Sequence, residues 1–167
     1  MPDIVYAGSR ARIGQINRLR HTVAFQPITS TAGPTTSGTQ QAGITTASIT
    51  FKSGRAYQIT YKGTMLTNAS SDQGSFEVHK GTATGSPTYI NSGRLQSAAT
   101  AGSVGFYLAN IVVNNGADVT AVLVGTYHRA SGSSGTGVAL FGSTTNPSYI
   151  QVEDVGPASD YPSASPV

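Results

Sequence analysis

The chain of 167 residues has no cysteine and no tryptophan, and only 10% of its residues are charged. Without cysteine the fold cannot use disulfides, which excludes a disulfide-stapled secreted scaffold. Ordinary soluble domains carry roughly 25% charged residues, so this surface must be unusually poor in charge. We therefore expect a protein that is partly covered by neighbouring molecules, or one that stays soluble through its serine and threonine hydroxyls.

Long apolar segments are also missing. No apolar run approaches the roughly 20 residues that a helix needs to span a bilayer. The opening Met-Pro-Asp-Ile-Val-Tyr has no apolar stretch of the kind found in signal peptides. We therefore expect neither secretion nor a membrane partner.

Catalytic and metal-binding patterns are absent from the sequence. There is no Gly-x-Ser-x-Gly motif, and the abundant serines make chance combinations with His and Asp common. His21, His79 and His128 are far apart, without the short spacings of metal ligands. Glu153 and Asp154 are neighbours on a predicted strand, so their side chains point to opposite faces. We expect a non-enzymatic protein with no cofactor and no metal.

The net charge of +3 is concentrated at the N-terminus. The first 21 residues carry Arg10, Arg12, Arg18 and Arg20 against the single acid Asp3. In the rest of the chain, basic and acidic residues are equal in number. This division predicts a short cationic arm attached to a neutral body.

The arm has the pattern of a short amphipathic helix. Ser9 can cap a helix over residues 10–20, in which Ile13, Ile16 and Leu19 share one face. Arginine pairs well with carboxylates at protein interfaces, whereas the arm has no interleaved aromatics and the body has no basic patch. We therefore predict docking onto a protein and do not expect nucleic acid; a solvated arm is the alternative. The predicted docking residues are Arg10, Arg12, Ile13, Ile16, Asn17 and Leu19.

The body has the alternation of β-strands. Tyr57, Ile59 and Tyr61 alternate with polar residues in the clearest predicted strand. Residues 119–128 are apolar at successive positions, which indicates burial on both faces, and residues 114–116 carry a hairpin signal. Eight or nine short strands predict an all-β fold. We expect an antiparallel β-sandwich, jelly-roll-like, with a short N-terminal helical or extended arm.

Composition divides the chain into four predicted segments. Gly33-Pro34 interrupts a hydroxyl-rich stretch, and the chain after Pro157 is rich in proline, serine and alanine. The predicted segments are a basic docking arm with the first strand over 1–27, a hydroxyl-rich loop over 28–43, a β-sandwich body over 44–156 and a flexible tail over 157–167.

Tyrosine is plentiful for a chain without tryptophan, and it favours both interfaces and sugar-binding surfaces. A rival hypothesis is therefore a module that recognises host-surface glycans through loops around a shallow groove. Its candidate contact residues are Asn68, Asp72, Tyr89 and Asn91.

Two terminal stretches resemble a known group. AGSRARIGQINRLR, near the N-terminus, resembles the opening signature of small structural proteins from tailed phages of actinobacteria. NPSYIQVEDVGPA resembles the final strand of the same group. Between them, SGRAYQITYKG and NNGADVTAVLVGTY resemble, more weakly, the strand pattern of C1q/TNF-like jelly rolls.

The resemblance implies a virion component, assembled in the host cytoplasm as a homotrimer. Proteins of this kind decorate capsids, form head fibres or sit in tails as minor proteins. The implied partners are other copies of the chain and a major capsid or tail protein. A location in the head and a location in the tail both stay open, as does recognition of host glycans by a minor tail or receptor-binding module.

Overall fold

The computed structural model describes residues 19–97, 102–132 and 135–167. The strands in these residues are β1 (His21–Ile28), β2 (Ala32–Thr35), β3 (Gln41–Thr45), β4 (Ile49–Phe51), β5 (Arg55–Thr67), β6 (Gln73–Lys80), β7 (Thr88–Asn91), β8 (Leu95–Gln96), β9 (Gly102–Asn114), β10 (Val119–Ala121), β11 (Leu123–Ser131), β12 (Val138–Leu140), β13 (Ser148–Pro157) and β14 (Ser165–Pro166). A 3-10 turn covers Ala158–Asp160. The expected all-β fold is confirmed.

Alternation along β5 explains why this strand lies at the centre of the fold. Tyr57, Ile59 and Tyr61 are buried in the core, whereas Lys62 lies on the opposite face and is exposed. β5 pairs with β9 along its whole length on one side. On its other side it pairs first with β13 and then with β12.

Two sheets face each other across the core. The first sheet runs β1-β13-β5-β9, with β12 and β2 extending it beside β5, and β14 added in parallel to β9. The second sheet runs β3-β11-β6-β7, with β8 beside one end of β6. A two-stranded ribbon of β4 and β10 lies apart from both sheets. Every strand pair except β14–β9 is antiparallel, so the predicted antiparallel sandwich is confirmed.

The pairing of the main strands is nested in the manner of a jelly roll. Taken in chain order, the main strands of the two sheets are β1, β3, β5, β6, β7, β9, β11 and β13. The first pairs with the last, the second with the seventh, the third with the sixth and the fourth with the fifth. Such nesting folds one long hairpin across two sheets, which is the jelly-roll arrangement.

Aromatic rings join the two sheets through the core. Phe106 of the first sheet lies with its ring centroid 5.1 Å from that of Tyr61 and 4.4 Å from that of Phe76 in the second sheet. Tyr61 Oη donates a hydrogen bond of 3.3 Å to the carbonyl of Thr126 on β11. Burial raises the pKa of Tyr61. This one side chain therefore contributes both apolar packing and a polar contact between the sheets.

The loop predicted over residues 28–43 contains strand structure instead. β2 pairs with β12, and β3 pairs with β11. The segment therefore supplies an edge strand to each of the two sheets. The Tyr127 ring lies so close that a Cβ on Gly33 would come within 3.0 Å of it, and one on Gly43 within 3.1 Å. Gly33 and Gly43, in a segment whose composition suggested a loop, leave the space that the Tyr127 ring occupies.

The tail predicted over residues 157–167 is packed against the body. β14 pairs with β9, and the Val167 amide donates to the carbonyl of Val113 at 3.0 Å. Together with the turn at Ala158, the segment covers Ala56 and Val113 on the outer face of the first sheet. Burial of these alanine and valine side chains orders a segment whose composition suggested flexibility.

The hairpin expected at residues 114–116 does not form. β9 belongs to the first sheet, whereas β10 pairs with β4, so the chain changes sheets at this point. The Asn114 amide donates at 2.8 Å to the carbonyls of both Phe51 and Ala117, which stabilises the crossing. The single strand expected over 119–128 is divided at Val122, but burial on both faces is confirmed from Leu123 to Tyr127.

The helix expected in the arm lies almost entirely outside the described residues. Leu19 and Arg20, its last two predicted residues, precede β1 without helical structure. Within the described ranges, no helix has the length and apolar character that a membrane crossing requires.

Candidate functional site

Three large apolar side chains are exposed along the stretch where the chain enters the body. Leu19 is 62% exposed, Phe25 is 52% exposed and Val23 is 38% exposed. Phe25 packs on Tyr149 of β13 with ring centroids 5.0 Å apart. We call these four residues, Leu19, Val23, Phe25 and Tyr149, the apolar patch. Exposed apolar side chains of this size, here including the contacting pair of Phe25 and Tyr149, are a feature of interaction sites.

A row of side chains continues from the apolar patch across the first sheet. Tyr149 pairs with Lys62 of β5, and Lys62 pairs with Tyr107 of β9. The Lys62 Nζ atom lies 5.7 Å from the centroid of the Tyr149 ring, within the range of a cation–π contact. The outer face of this sheet therefore presents two aromatic regions separated by one cation.

Arg20 lies over the same face. Its guanidinium donates a hydrogen bond to Gln58 Oε1, and its Nε atom lies 3.8 Å from Glu153 Oε2. Because both Arg20 and Glu153 retain solvent exposure, this ion pair contributes at most about 1 kcal/mol. The contact still holds Arg20, just before β1, against the outer face of the first sheet.

Only Leu19 of the six predicted docking residues lies within the described residues, which begin at position 19. Leu19 is exposed and belongs to the apolar patch. The others lie outside the described residues; they are Arg10, Arg12, Ile13, Ile16 and Asn17.

A groove of about 410 Å³ runs between β7 and β9, the edge strands of the two sheets. We call it the edge groove. None of the residues that line it carries a charge; they are Tyr89, Ile90, Asn91, Tyr107, Leu108, Ala109 and Asn110. The Asn110 amide donates to the carbonyl of Tyr89 at 2.8 Å and so ties one strand to the other.

The four predicted glycan contacts do not come together. Tyr89 and Asn91 both line the edge groove. Asn68 is exposed beside a separate pocket of about 190 Å³. Asp72 is fully buried, and its carboxylate lies 3.9 Å from the guanidinium of Arg129. The structure therefore places two of the four residues in one candidate site, and Asp72 is buried too deeply to contact a ligand.

Tyr89 forms a buried wall of the edge groove. It is 4% exposed, and its Oη atom has no hydrogen-bond partner among the described residues. Burial raises the pKa of this phenol to about 12. The ring of Tyr89 therefore shapes the groove, while its hydroxyl stays neutral inside the protein.

A buried polar network, which no sequence motif indicated, lies on β6. Glu77 and His79 are buried, and Glu77 Oε2 lies 2.9 Å from His79 Nε2. Gln40 donates to the same Glu77 oxygen at 3.0 Å, and Ser75 Oγ donates to Glu77 Oε1 at 3.3 Å. His79 Nδ1 lies 2.9 Å from the carbonyl of Gly85. Glu77 and His79 alternate in sequence with the core residues Phe76 and Val78, so they lie on the outward face of β6, where contacts from neighbouring loops bury them.

This network does not have the geometry of a nucleophilic triad. In a triad the histidine lies between the serine and the acid, because it must accept the serine proton. Here Glu77 lies between Ser75 and His79, and both ring nitrogens of His79 have protein partners. The network therefore holds loops against the second sheet.

The acidic and histidine side chains are the possible ligands of a metal ion in this chain. Across 19–97, 102–132 and 135–167, no group of three or more such residues is arranged to hold a metal ion.

Comparisons with solved structures find weak similarity in fold. No protein-family model matches the chain, and no curated protein matches it in sequence. Among solved structures, the C-terminal CBM6 of LamC, a marine laminarinase from Zobellia galactanivorans, is similar at 15% identity and a TM-score of 0.30. The match covers 83% of this chain and 94% of that chain. A similarity at this level supports no argument about binding or activity.

Proposed function

We propose that this protein is a non-enzymatic structural component of a phage virion, a trimeric capsid decoration or head-fibre protein that docks through its N-terminal arm. The observation that carries the proposal is the position of the apolar patch. Leu19, Val23 and Phe25 are exposed in the stretch where the arm joins the body. Large exposed apolar side chains that follow a cationic segment directly favour an interface at this junction.

The arm supplies the contact to the particle in this proposal. Leu19 continues the apolar stripe predicted for Ile13 and Ile16, and the neighbouring arginines match the carboxylates of a capsid or tail protein. One short arm binds weakly by itself. Three arms held by one trimer bind together with an avidity that can exceed the single affinity by about 10²–10⁴.

The body supplies the trimer contact and the displayed surface. Charge-poor sheets avoid the large cost of desolvating charges when a neighbouring copy covers them, and their hydroxyls can form hydrogen bonds across the contact. Phe25, packed on Tyr149, gives such a contact its apolar centre. A stable assembly of this kind buries on the order of 2,000 Å² or more.

Deletion of residues 1–18 tests the docking role. Particles of the encoding phage that lack the protein are mixed with purified full-length or shortened chain and sedimented. We expect the full-length chain to sediment with particles and the shortened chain to be bound at least about tenfold less, because avidity is lost with the arms.

The control for this deletion is the fold of the shortened chain, followed by circular dichroism and thermal unfolding. Since β1 begins at His21, the deletion leaves every described strand complete. Equal sedimentation of the folded shortened chain and the full-length chain would contradict docking through the arm.

The alternative role, a minor tail or receptor-binding module that recognises host-surface glycans, has one observation in its favour. Tyr89 and Asn91, two of its four predicted contact residues, line the same groove.

A further inference from the structure

We propose that the outer edge of β9, over residues 102–111, pairs with the same edge of a second copy of this chain, so that the first sheets of the two copies join across a twofold axis. We call residues 102–111 the open edge. This goes beyond the proposed structural role, because the contact proposed at Phe25 and Tyr149 lies on the β1 side of the first sheet, whereas the open edge lies on the β9 side.

The first argument is the length of the open edge. β9 has 13 residues, and all of them pair with β5 on one side. On the other side, β14 pairs with β9 only at Val112 and Val113, and no other strand of the described chain pairs there. The edge groove of about 410 Å³ leaves space beside this part of β9. The unpaired backbone is therefore accessible as a template for another strand.

The second argument is the sequence of the open edge. Natural sheets protect an exposed edge with lysine, proline or a β-bulge. The open edge reads GSVGFYLANI, without a charged residue or a proline, and its register with β5 is unbroken. Like charges opposite each other destabilise an antiparallel pair, and a strand without charges avoids this when it pairs with its own copy. The open edge is therefore suited to pairing with itself.

The direction of the backbone groups identifies the residues that can bond to a second strand. Val113 accepts a hydrogen bond of 3.0 Å from the Val167 amide on the open side of β9. In an antiparallel strand, every second residue directs its amide and carbonyl to the same side. The amide of Ile111 already donates to Asn110 Oδ1 at 2.9 Å. The outward residues before Ile111, with which no strand of the described chain pairs on this side, are Ser103, Gly105, Tyr107 and Ala109.

These outward residues define one register for the pair. With the twofold axis beside Phe106, Ser103 lies opposite Ala109 of the second copy, and Gly105 lies opposite Tyr107 of the second copy. In this register each of the four residues exchanges both of its backbone hydrogen bonds with the residue opposite, which gives about eight bonds in all. No outward amide or carbonyl between residues 103 and 109 is left without a partner.

The third argument is the fit of the side chains in this register. Tyr107 is 63% exposed, whereas a Cβ on Gly105 would meet nothing within 4 Å. The Tyr107 ring of each copy can therefore cover Gly105 of the other, as aromatic residues cover glycines of neighbouring strands. On the inner face, Val104 lies opposite Leu108 of the second copy. Both are only partly buried against the core, so the pairing removes more of their apolar surface from water.

The test is disulfide formation between two full-length variants, since the original chain has no cysteine. Ser103→Cys and Ala109→Cys both replace small exposed residues. A contact of this length belongs to the weak interfaces, so we expect a Kd on the order of 0.1–1 mM and mix the variants at about 1 mM. The mixture is oxidised with copper phenanthroline in air and separated on a denaturing gel.

We expect the mixture to form cross-linked dimer at least about tenfold faster than either variant alone. Opposite residues of an antiparallel pair have Cα atoms about 5.5 Å apart, within the range of a disulfide. Two copies of position 103, or two of position 109, lie roughly 20 Å apart along the paired strands, too far for a disulfide.

Matched glycine variants identify the side-chain contact. Gly105→Val, added to both cysteine variants, should slow cross-linking at least about fivefold, because its side chain fills the space that Tyr107 of the second copy enters. Gly135→Val is the control, since a Cβ on Gly135, in the loop before β12, would also meet nothing within 4 Å. It should leave the rate of cross-linking unchanged. Thermal unfolding verifies that both variants are folded.

Three results would overturn the inference. They are no cross-linked dimer in the mixture, equal rates in the mixture and in the separate variants, and an unchanged rate with Gly105→Val. None of them bears on arm docking, which the sedimentation of the shortened chain measures separately.

Discussion

Tyrosine side chains occupy contrasting environments in this protein, and burial decides the role of each. Tyr61 is fully buried and links the sheets, whereas Tyr107 is 63% exposed at the edge groove. Tyr149 lies on the outer face against Phe25. Tyr89 is buried without a partner for its hydroxyl among the described residues. Composition alone could indicate many tyrosines, but their roles follow from the position of each on its strand.

Tyr89→Phe should stabilise the protein. A buried hydroxyl without a partner carries a desolvation cost, so its removal should raise the free energy of unfolding by about 1 kcal/mol. Urea unfolding at pH 7 measures this change. A loss of stability would show that the Tyr89 hydroxyl has a bonding role in solution.

The same residue should contribute to alkaline unfolding. In an unfolded chain the pKa of tyrosine is about 10, whereas burial raises that of Tyr89 to about 12. Its contribution to stability is therefore complete below pH 10 and is lost as the pH rises towards 12. The stability of Tyr89→Phe should fall less steeply over this interval than that of the original protein.

The pair of β5 and β9 shows how one element depends on small residues at particular positions. A Cβ on Gly63 of β5 would lie 2.6 Å from the Phe106 ring and 2.8 Å from Ser148 Oγ. A Cβ on Gly105 of β9 would meet nothing within 4 Å. Gly105 pairs with Thr64, the residue after Gly63, so the two glycines are close in the sheet but differ in their packing.

Alanine at these two glycines should therefore give opposite results. Gly63→Ala should lower the free energy of unfolding by about 1–3 kcal/mol, because the added methyl group forces core side chains apart. Gly105→Ala should change it by less than about 0.5 kcal/mol, as is usual at open surface sites. Chemical denaturation of both variants under one condition checks this. Equal effects would contradict the packing described for the inner face of β5.

The whole molecule combines a cationic N-terminus, an apolar patch and a body with balanced charge. Arg20 connects these parts, because it contacts Gln58 and Glu153 on the outer face of the first sheet. The C-terminal segment already covers one end of that face, where Ala158 packs with Ala56 of β5 and Val113 of β9. The other end, with Phe25 and Tyr149, is the part that a neighbouring copy covers in the proposed trimer.

Light scattering coupled to size-exclusion chromatography tests the trimer. The full-length protein should have three times the chain mass of 17.1 kDa. Phe25→Ser should shift the population towards monomer, since it removes an exposed ring from the apolar centre of the contact. Thr144→Ala, in an exposed loop before β13, is the control and should remain trimeric. A full-length chain that is monomeric at high concentration would contradict the proposal.

Part of the candidate site could be predicted from the sequence. The aromatic alternation of Tyr57, Ile59 and Tyr61 predicted the central strand, since period-two burial is a local property. The glycan candidates were harder, because which asparagine meets which tyrosine depends on strands far apart in sequence. Asn91 and Tyr107 share a groove through the edges of two sheets, whereas Asp72 is buried beside Arg129.

The sequence by itself determined the all-β class, the inward and outward faces of β5 and the division into a basic arm and a neutral body. These are local properties of composition and periodicity. Only the tertiary structure decided that Glu77 and His79 are buried, that the C-terminal segment packs on β9 and that the edge groove forms between β7 and β9. Each of these depends on contacts between distant parts of the chain, which no local pattern specifies.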